Sequence, residues 1–472
     1  MPSLRRVTLA GSVVGAVLVA LDGTVLTVAR PALQHDLGAS LTQAQWTSTA
    51  YLIAVASLLV FAGRLGDRYG HRRLFAAGML GFAAASAGIG CAPTIGWVIA
   101  LRVAQGVCGA LLQPATLGML RAAYPPDELG MPIALRTSAI GVAAAAGPLV
   151  GGVLTAQFGW RSVFFIGVLP AVVIALLVLR AKEPERARVP GGAAGLDPAG
   201  VVLLGAALAC LVTALVTLSD RGSPAYTVLA AGGAGIAAAA LARHERRTPS
   251  PLLPPSVVAS PVVVAALGVL LAASAALFGT LFVASYFLQD VRGLSALGTA
   301  LYLLPAALCM VLAAPLGAVL LRRQGARMTT GAGMVLLALG VFAFGRLDRS
   351  ASALAVGACA VAMGAGFGAV MVSATEALVR RSATADAGVT GGLQQTAMNV
   401  GPTLGVALGT TLLAAGRDLA SALGPALTVL ALVTCVGAVA ARGLPPRARG
   451  AARTPAADGA RPPGGPVAPT DR

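Results

Sequence analysis

Long apolar stretches separated by short polar knots set the rhythm of this chain. Fourteen apolar runs of about 20 residues, the length that crosses a hydrocarbon core, fall near 7–30, 44–62, 74–92, 95–118, 132–157, 161–180, 197–218, 225–242, 261–288, 296–320, 328–346, 351–375, 386–415 and 420–441. The sharpest interruption is Gly63 to Arg73, GRLGDRYGHRR, between apolar runs from Trp46 to Phe61 and from Leu74 to Ala92. The pattern predicts an all-α polytopic membrane protein with 14 transmembrane helices, the knot being the tight loop between the second and third. The first run follows Arg5 and Arg6, as the apolar part of a signal peptide does. It carries Asp22, lacks a clear small-x-small cleavage site and precedes thirteen more runs, so it reads as a retained helix.

The pattern also repeats. Gly147 to Gly151, GPLVG, recurs as Gly401 to Gly405, GPTLG, an offset of 254 residues. The same offset places the knot on Gly317 to Arg327, GAVLLRRQGAR, which keeps Gly317, Arg322 and Arg327 and has Leu321 where Asp67 stood. Two six-helix bundles follow, 1–190 and 255–442, with a substrate site expected between them near mid-membrane. Residues 191–254 hold two inserted helices and a linker, the linker being part of the Pro-rich stretch Arg243 to Ser260, RHERRTPSPLLPPSVVAS. Residues 443–472 are Pro, Gly, Ala and Arg with little to bury, and read as a disordered tail.

Composition sharpens the class. With 57% hydrophobic residues, 11% charged and a mean hydropathy of +0.84, the chain is far from a soluble globule, whose charged fraction is near a quarter. The net charge of +17 is dealt out between apolar runs rather than gathered on one surface, which argues against nucleic acid. With the N-terminus inside, the cytoplasmic segments collect 25 of the Lys and Arg residues and the outer segments seven. That bias predicts both termini in the cytoplasm of a multi-pass cell-membrane protein. Six scattered cysteines show no CxxC and no histidine pair, so they read as free thiols without a metal site. Only His35, His71 and His244 are present, all expected in loops, and no carboxylate cluster suggests catalysis. No GxxxxGK[ST] loop exists, so ATP is not the direct drive.

The charges inside the spans carry the chemistry, because each is costly in lipid unless it faces protein or water. Asp22 lies about six residues from the outer end of the first span, roughly 9 Å deep at 1.5 Å per residue. Arg102 enters the fourth span from the same side to a similar depth, so the two can face each other. Two readings stand: a static ion pair that fixes packing, or a carboxylate that exchanges a proton. From Arg102, positions Gln105, Gly106, Gly109 and Gln113 follow on one helical face. Gly147, Pro148, Gly151 and Gly152 make a small-residue stripe with a bend, and Gln394, Gln395 and Asn399 form the most polar patch of the second half. Gln105, Gln113, Gln394, Gln395 and Asn399 are candidate substrate contacts. Arg136 and Glu376 lie near cytoplasmic helix ends, where snorkelling explains them as well as function does. Asp67 fits either a local ion pair with Arg68 or Arg72, or a latch on the positive N-terminus of another helix.

These motifs resemble those of the major facilitator superfamily, and of its fourteen-helix drug:proton antiporter branch in particular, over nearly the whole chain up to the tail. GRLGDRYGHRR is similar to the loop 2–3 signature, which implies a conformational latch built from Gly63, Asp67, Arg68, Gly70, Arg72 and Arg73. LDGTVLTVARPAL resembles the first-helix motif whose acid maps to Asp22, and ALRVAQG the fourth-helix motif that implicates Arg102 in proton transfer. AAAAGPLVGG resembles the helix 5 antiporter motif, carried by Gly147, Pro148, Gly151 and Gly152. His71 departs from the usual Arg or Lys of the loop signature, and Ala143 from a frequent glycine of the helix 5 motif.

The resemblance implies a secondary transporter, not an enzyme, with no cofactor beyond the proton gradient, exporting drugs, antibiotics or other amphipathic small molecules as a monomer. The alternative is a proton symporter or facilitator for a specific metabolite, because fold does not decide direction.

Overall fold

The computed structural model describes residues 2–125, 128–181, 197–219, 224–248, 251–254, 257, 259–294, 296–381, 386–415 and 419–446. The expected tail beyond 446, the basic residues Lys182, Arg186, Arg188, Arg221 and Arg417, and the Pro148 side chain lie outside this description.

Helices carry almost all the described residues, and none is in a strand. In chain order they are α1 (Pro2–Asp36), α2 (Leu41–Tyr69), α3 (His71–Gly90), α4 (Ile95–Ala123), α5 (Gly130–Phe158), the short α6 (Ser162–Phe165) and α7 (Val168–Arg180). Then come α8 (Pro198–Ser219), α9 (Pro224–Glu245), α10 (Pro261–Tyr286), α11 (Ala296–Gln324), α12 (Ala326–Phe344), α13 (Ala353–Arg381), α14 (Ala387–Ala415) and α15 (Leu419–Ala440). Helices are the open-ended answer to lipid, since each satisfies its own main chain. Their ends follow local chemistry. At the start of α2, Ser40 Oγ accepts from the Gln43 N–H while Gln43 Oε1 accepts from the Ser40 N–H, a reciprocal cap.

Twelve helices among the described residues are long and apolar enough to cross a membrane, or thirteen if a bent pair is one span. Fourteen were expected, and two helices account for the difference. α5 bends by 45° between Gly130–Ala144 and Leu149–Phe158, around Gly147-Pro148, where proline removes a main-chain donor. α14 is 29 residues long, but Gln394, Gln395, Asn399 and its glycines dilute its apolar content. Other boundaries shift too. α1 continues to Asp36 rather than stopping at Arg30, the span at 161–180 is interrupted between α6 and α7, and the three histidines occupy helix ends rather than loops.

The internal repeat is visible in packing. Gly70 (φ +94°) turns the chain between α2 and α3, and Gly325 (φ +86°) does the same between α11 and α12; side chains rarely adopt that conformation. Gly147 and Gly151 of α5 pack on Thr24 and Val25 of α1, and Gly401 and Gly405 of α14 pack on Ser274 and Ala275 of α10. One large apolar cluster is built from residues between Val257 and Leu444, and two others from residues between Leu18 and Val178. α8 leans on α2 and α14, while α9 packs on α8. α9 is the least covered span, with 6% of its window buried.

The two groups of helices meet along a seam. α2 and α4 pack against α14, and α5 against α11 and α13. The close approaches join Leu59, Val60 and Gly63 to Gly388 and Gly392, Pro114 to Gly391, Ala134 to Ala314, Ala318 and Val372, and Ile133 to Val379. All of them lie toward the ends of these helices that carry the Gly63–Arg73 knot. The seam is closed at the knot end.

Candidate functional site

The charges expected inside the spans meet. Arg102 is 1% exposed, and its terminal nitrogen donates to Asp22 Oδ2 at 2.6 Å. The same nitrogen donates to Gln105 Oε1 at 2.6 Å, and Nε donates to the Thr47 carbonyl at 2.9 Å. The guanidinium also lies over the Tyr51 ring, 4.4 Å from its centroid. Gln105 Nε2 donates to Asp22 Oδ1 at 3.1 Å and to Ser86 Oγ at 2.7 Å. A cavity of about 20 Å³ touches Asp22 and Ser86 between α1, α3 and the α6–α7 corner, room for one water.

The arrangement has a chemical consequence. If Asp22 takes a proton, Arg102 loses its counter-charge but keeps the Thr47 carbonyl, the Gln105 amide oxygen and the face of Tyr51. A desolvated cation–π contact is worth about 2 kcal/mol, so the cation remains held through the change. Gln105, expected as a substrate contact, hydrogen-bonds within this cluster. Thr47, Tyr51 and Ser86 escaped sequence reading. One contributes only a main-chain oxygen, which every residue has, and the others sit on helices whose rotation about α4 no spacing reveals.

The second constellation is the knot. Asp67 Oδ1 accepts from the Gly388 N–H at 2.7 Å and Oδ2 from the Val389 N–H at 3.2 Å, at the first turn of α14. This is the contact to a helix N-terminus that one of the two sequence readings offered. His71 Nε2 lies 3.2 Å from Asp67 Oδ1, so the residue that departs from the loop signature is part of the contact. Gly63 and Gly388 cross so tightly that a Cβ on either would overlap the other's carbonyl. Arg68 is exposed and lies over the Tyr69 ring, Arg72 donates to the Val178 and Ala181 carbonyls at the end of α7, and Arg73 is exposed. Arg64 ties the knot to the linker, donating to the Leu252 and Pro251 carbonyls. Glu245 of α9 accepts from the Leu252 and Leu253 N–H groups, both at 3.1 Å, and Leu252 packs with Val60 and Val389 across the seam.

Between these two constellations, Gln395 of α14 donates to Gln113 of α4 across the seam. Asn399 donates to the Gln395 carbonyl at 2.9 Å, and Gln394 is fully buried with both amide atoms unpartnered. In the α5 motif, a Cβ on Gly147 would overlap Thr24, and one on Gly151 would lie 2.9 Å from the Val25 carbonyl. Gly152 has room, with Val28 at 3.9 Å, so ordinary packing accounts for it. Snorkelling fails for Arg136 and Glu376. They are 3% and 6% exposed.

The profile of the Major Facilitator Superfamily matches residues 13–406. The chain belongs to that superfamily. It is 37% identical to a tetracenomycin C resistance and export protein of Streptomyces glaucescens, over 85% of this chain and 74% of the relative. It is 34% identical to a puromycin resistance protein of Streptomyces alboniger, over 83% and 78%. The fold also matches the crystal structure of a human organic anion transporter, with TM-score 0.65 and 14% identity over 93% of this chain and 99% of that one. Superfamily members are multi-pass membrane transporters, not enzymes in general.

Proposed function

We propose that this chain is a proton-coupled secondary transporter that exports drugs, antibiotics or related amphipathic molecules. The observation that carries the proposal is the Asp22–Arg102–Gln105 cluster, a carboxylate with a buried cation and a water-sized cavity beside it. The name of the tetracenomycin C resistance and export protein supports export as the direction.

In this reading the helices form two six-helix bundles, 1–190 and 255–442, with the pair in 191–254 inserted and fourteen spans in all. The separate apolar clusters of the two halves support that division. The excess of arginine at the knot end supports a cytoplasmic knot and cytoplasmic termini. The structure is then the outward-facing state, closed toward the cytoplasm by Asp67 on α14, by the Gly63–Gly388 crossing and by the Gln113–Gln395 bridge. A proton taken by Asp22 from outside accompanies substrate release, and its loss inward resets the cavity. The working unit is a monomer that uses no cofactor but the proton gradient.

The test is extrusion of a panel of amphipathic dyes of either charge from cells expressing the chain, with Asp22→Asn beside wild type. Extrusion of at least one dye, stopped by a protonophore and by the substitution at equal expression, is the expected result. Extrusion that survives both contradicts the proposal, as does none at all.

A further inference from the structure

Among the described residues, Arg136 is a buried arginine on a seam-forming helix that the transport cycle described above leaves idle. It lies six residues into α5, is 3% exposed, and its buried Nε has no hydrogen-bond partner. A guanidinium keeps its proton in a protein. A closed, uncompensated site for it is therefore strongly unfavourable.

Its place on α5 is fixed by its neighbours. Ile133 packs with Leu120, Leu129 and Val379, and Ala134 with Ala314, Ala318 and Val372. Two residues beyond Arg136, Ser138 Oγ donates to the Val311 carbonyl at 2.7 Å. Arg136 lies in the same stretch of α5, on the helix face that Gly147, about three turns on, presents to α1. Glu376, buried on α13 between Val372 and Val379, is ion-paired with Arg380 at 3.6 Å rather than with Arg136. Other polar groups of these seam-forming helices are stranded as well: Gln394 at both amide atoms and Thr375 at its hydroxyl. Buried polar groups without partners are rare in folded proteins. A set of them in the helices that close the seam marks a surface built for another state.

We infer that Arg136 binds an acidic group of the exported molecule, a carboxylate or an ionised phenol, when the seam parts at the knot end. The inference rests on the transport reading and narrows its substrate class to anionic amphiphiles. A guanidinium meets a carboxylate with two parallel N–H donors, which gives both strength and orientation. Gln394 offers a neutral donor and acceptor on a helix across the seam. Closing the seam without substrate strands the cation, so an anion that binds it favours the parted state.

The experiment uses the full chain in lipid nanodiscs, with carboxyfluorescein as the anionic probe and rhodamine 6G as the cationic one. Arg136→Gln should weaken carboxyfluorescein binding at least tenfold and change rhodamine 6G binding less than twofold, with Arg136→Lys between wild type and Arg136→Gln. The ligand-free Arg136→Gln protein should melt above wild type, because the substitution removes an unpaired buried charge. A structural role for Arg136 makes the opposite prediction, a lower melting temperature and equal loss of both probes. That result overturns the inference, and so does a wild type that fails to bind carboxyfluorescein. Binding needs no proton gradient, which separates the two readings. Protonophore-sensitive export together with Arg136-independent anion binding sinks this inference alone. Arg136-dependent binding in a protein that never couples to protons sinks the transport reading.

Discussion

The two halves of this transporter share a scaffold and divide the chemistry. Both turn at a positive-φ glycine, Gly70 and Gly325, and both pack a Gly-Pro helix onto their first helix. Only the first half carries the acids of the two constellations, Asp22 and Asp67. Asp67, which caps α14, is echoed 254 residues on by Leu321, and Leu321 is buried in the apolar cluster of the second half. Arg102 is echoed by Val356, also fully buried in that cluster. The second half contributes what needs no charge: the free N–H groups of a helix start, an amide at Gln395 and close-approach glycines. A repeat can thus keep its packing while one copy holds the charged groups and the other the surface they meet.

The comparison breaks most visibly at Asp22. Asp22→Asn should lower proton-coupled transport by about two orders of magnitude or more, the usual scale for loss of a proton-transferring group, while binding of substrate persists. Transport assays beside equilibrium binding check this. The echo position should answer differently. Leu321→Ala should lower stability by about 2 kcal/mol, at the modest end of large-to-small core changes, and leave proton coupling intact, as thermal unfolding and flux assays would report. At the knot, Asp67→Ala should remove about 1 kcal/mol of capping, a roughly fivefold shift of the conformational equilibrium. Spin labels at Tyr69 and Arg381, both at the knot end, should show the longer-distance population growing; no change would mean that Asp67 closes nothing.

The smallest effect is expected at the opposite end. Asp36 accepts from the Trp160 indole at 2.9 Å and from Arg161 at 2.6 Å. The Trp160 hydrogen bond first, and then Arg161, hold its carboxyl below the usual carboxylate range. A depressed folded-state value means a contribution that is present above the ordinary carboxylate pKa of about 4 and fades as pH falls through the lower folded value. The melting temperature of Asp36→Asn should therefore fall less than that of wild type between pH 5 and pH 3, roughly the window this shift defines.

Much of this was legible in the residues because lipid is a strict solvent. Apolar runs had to be helices, a buried acid and a buried arginine at equal depth had to find partners, and Asp67 had few uses for a lone carboxylate among arginines. What stayed hidden depends on contacts across helices. Nothing in the spacing shows that Gln113 meets Gln395, or that Leu252 of the linker packs at the seam. Nor does spacing show that Arg136 and Glu376 are covered, since depth along a helix says nothing of what closes over its end. The polar residues of α14 that the sequence marks as a patch also pull that helix away from the apolar signature of a span.

Proton movement through Asp22 is the centre of the account, and proteoliposomes loaded with a pH-sensitive dye measure it directly. A transported substrate added on one side should drive protons the opposite way in wild type, and no proton flux above empty liposomes should appear with Asp22→Asn. Substrate-driven proton flux that persists in Asp22→Asn would contradict it.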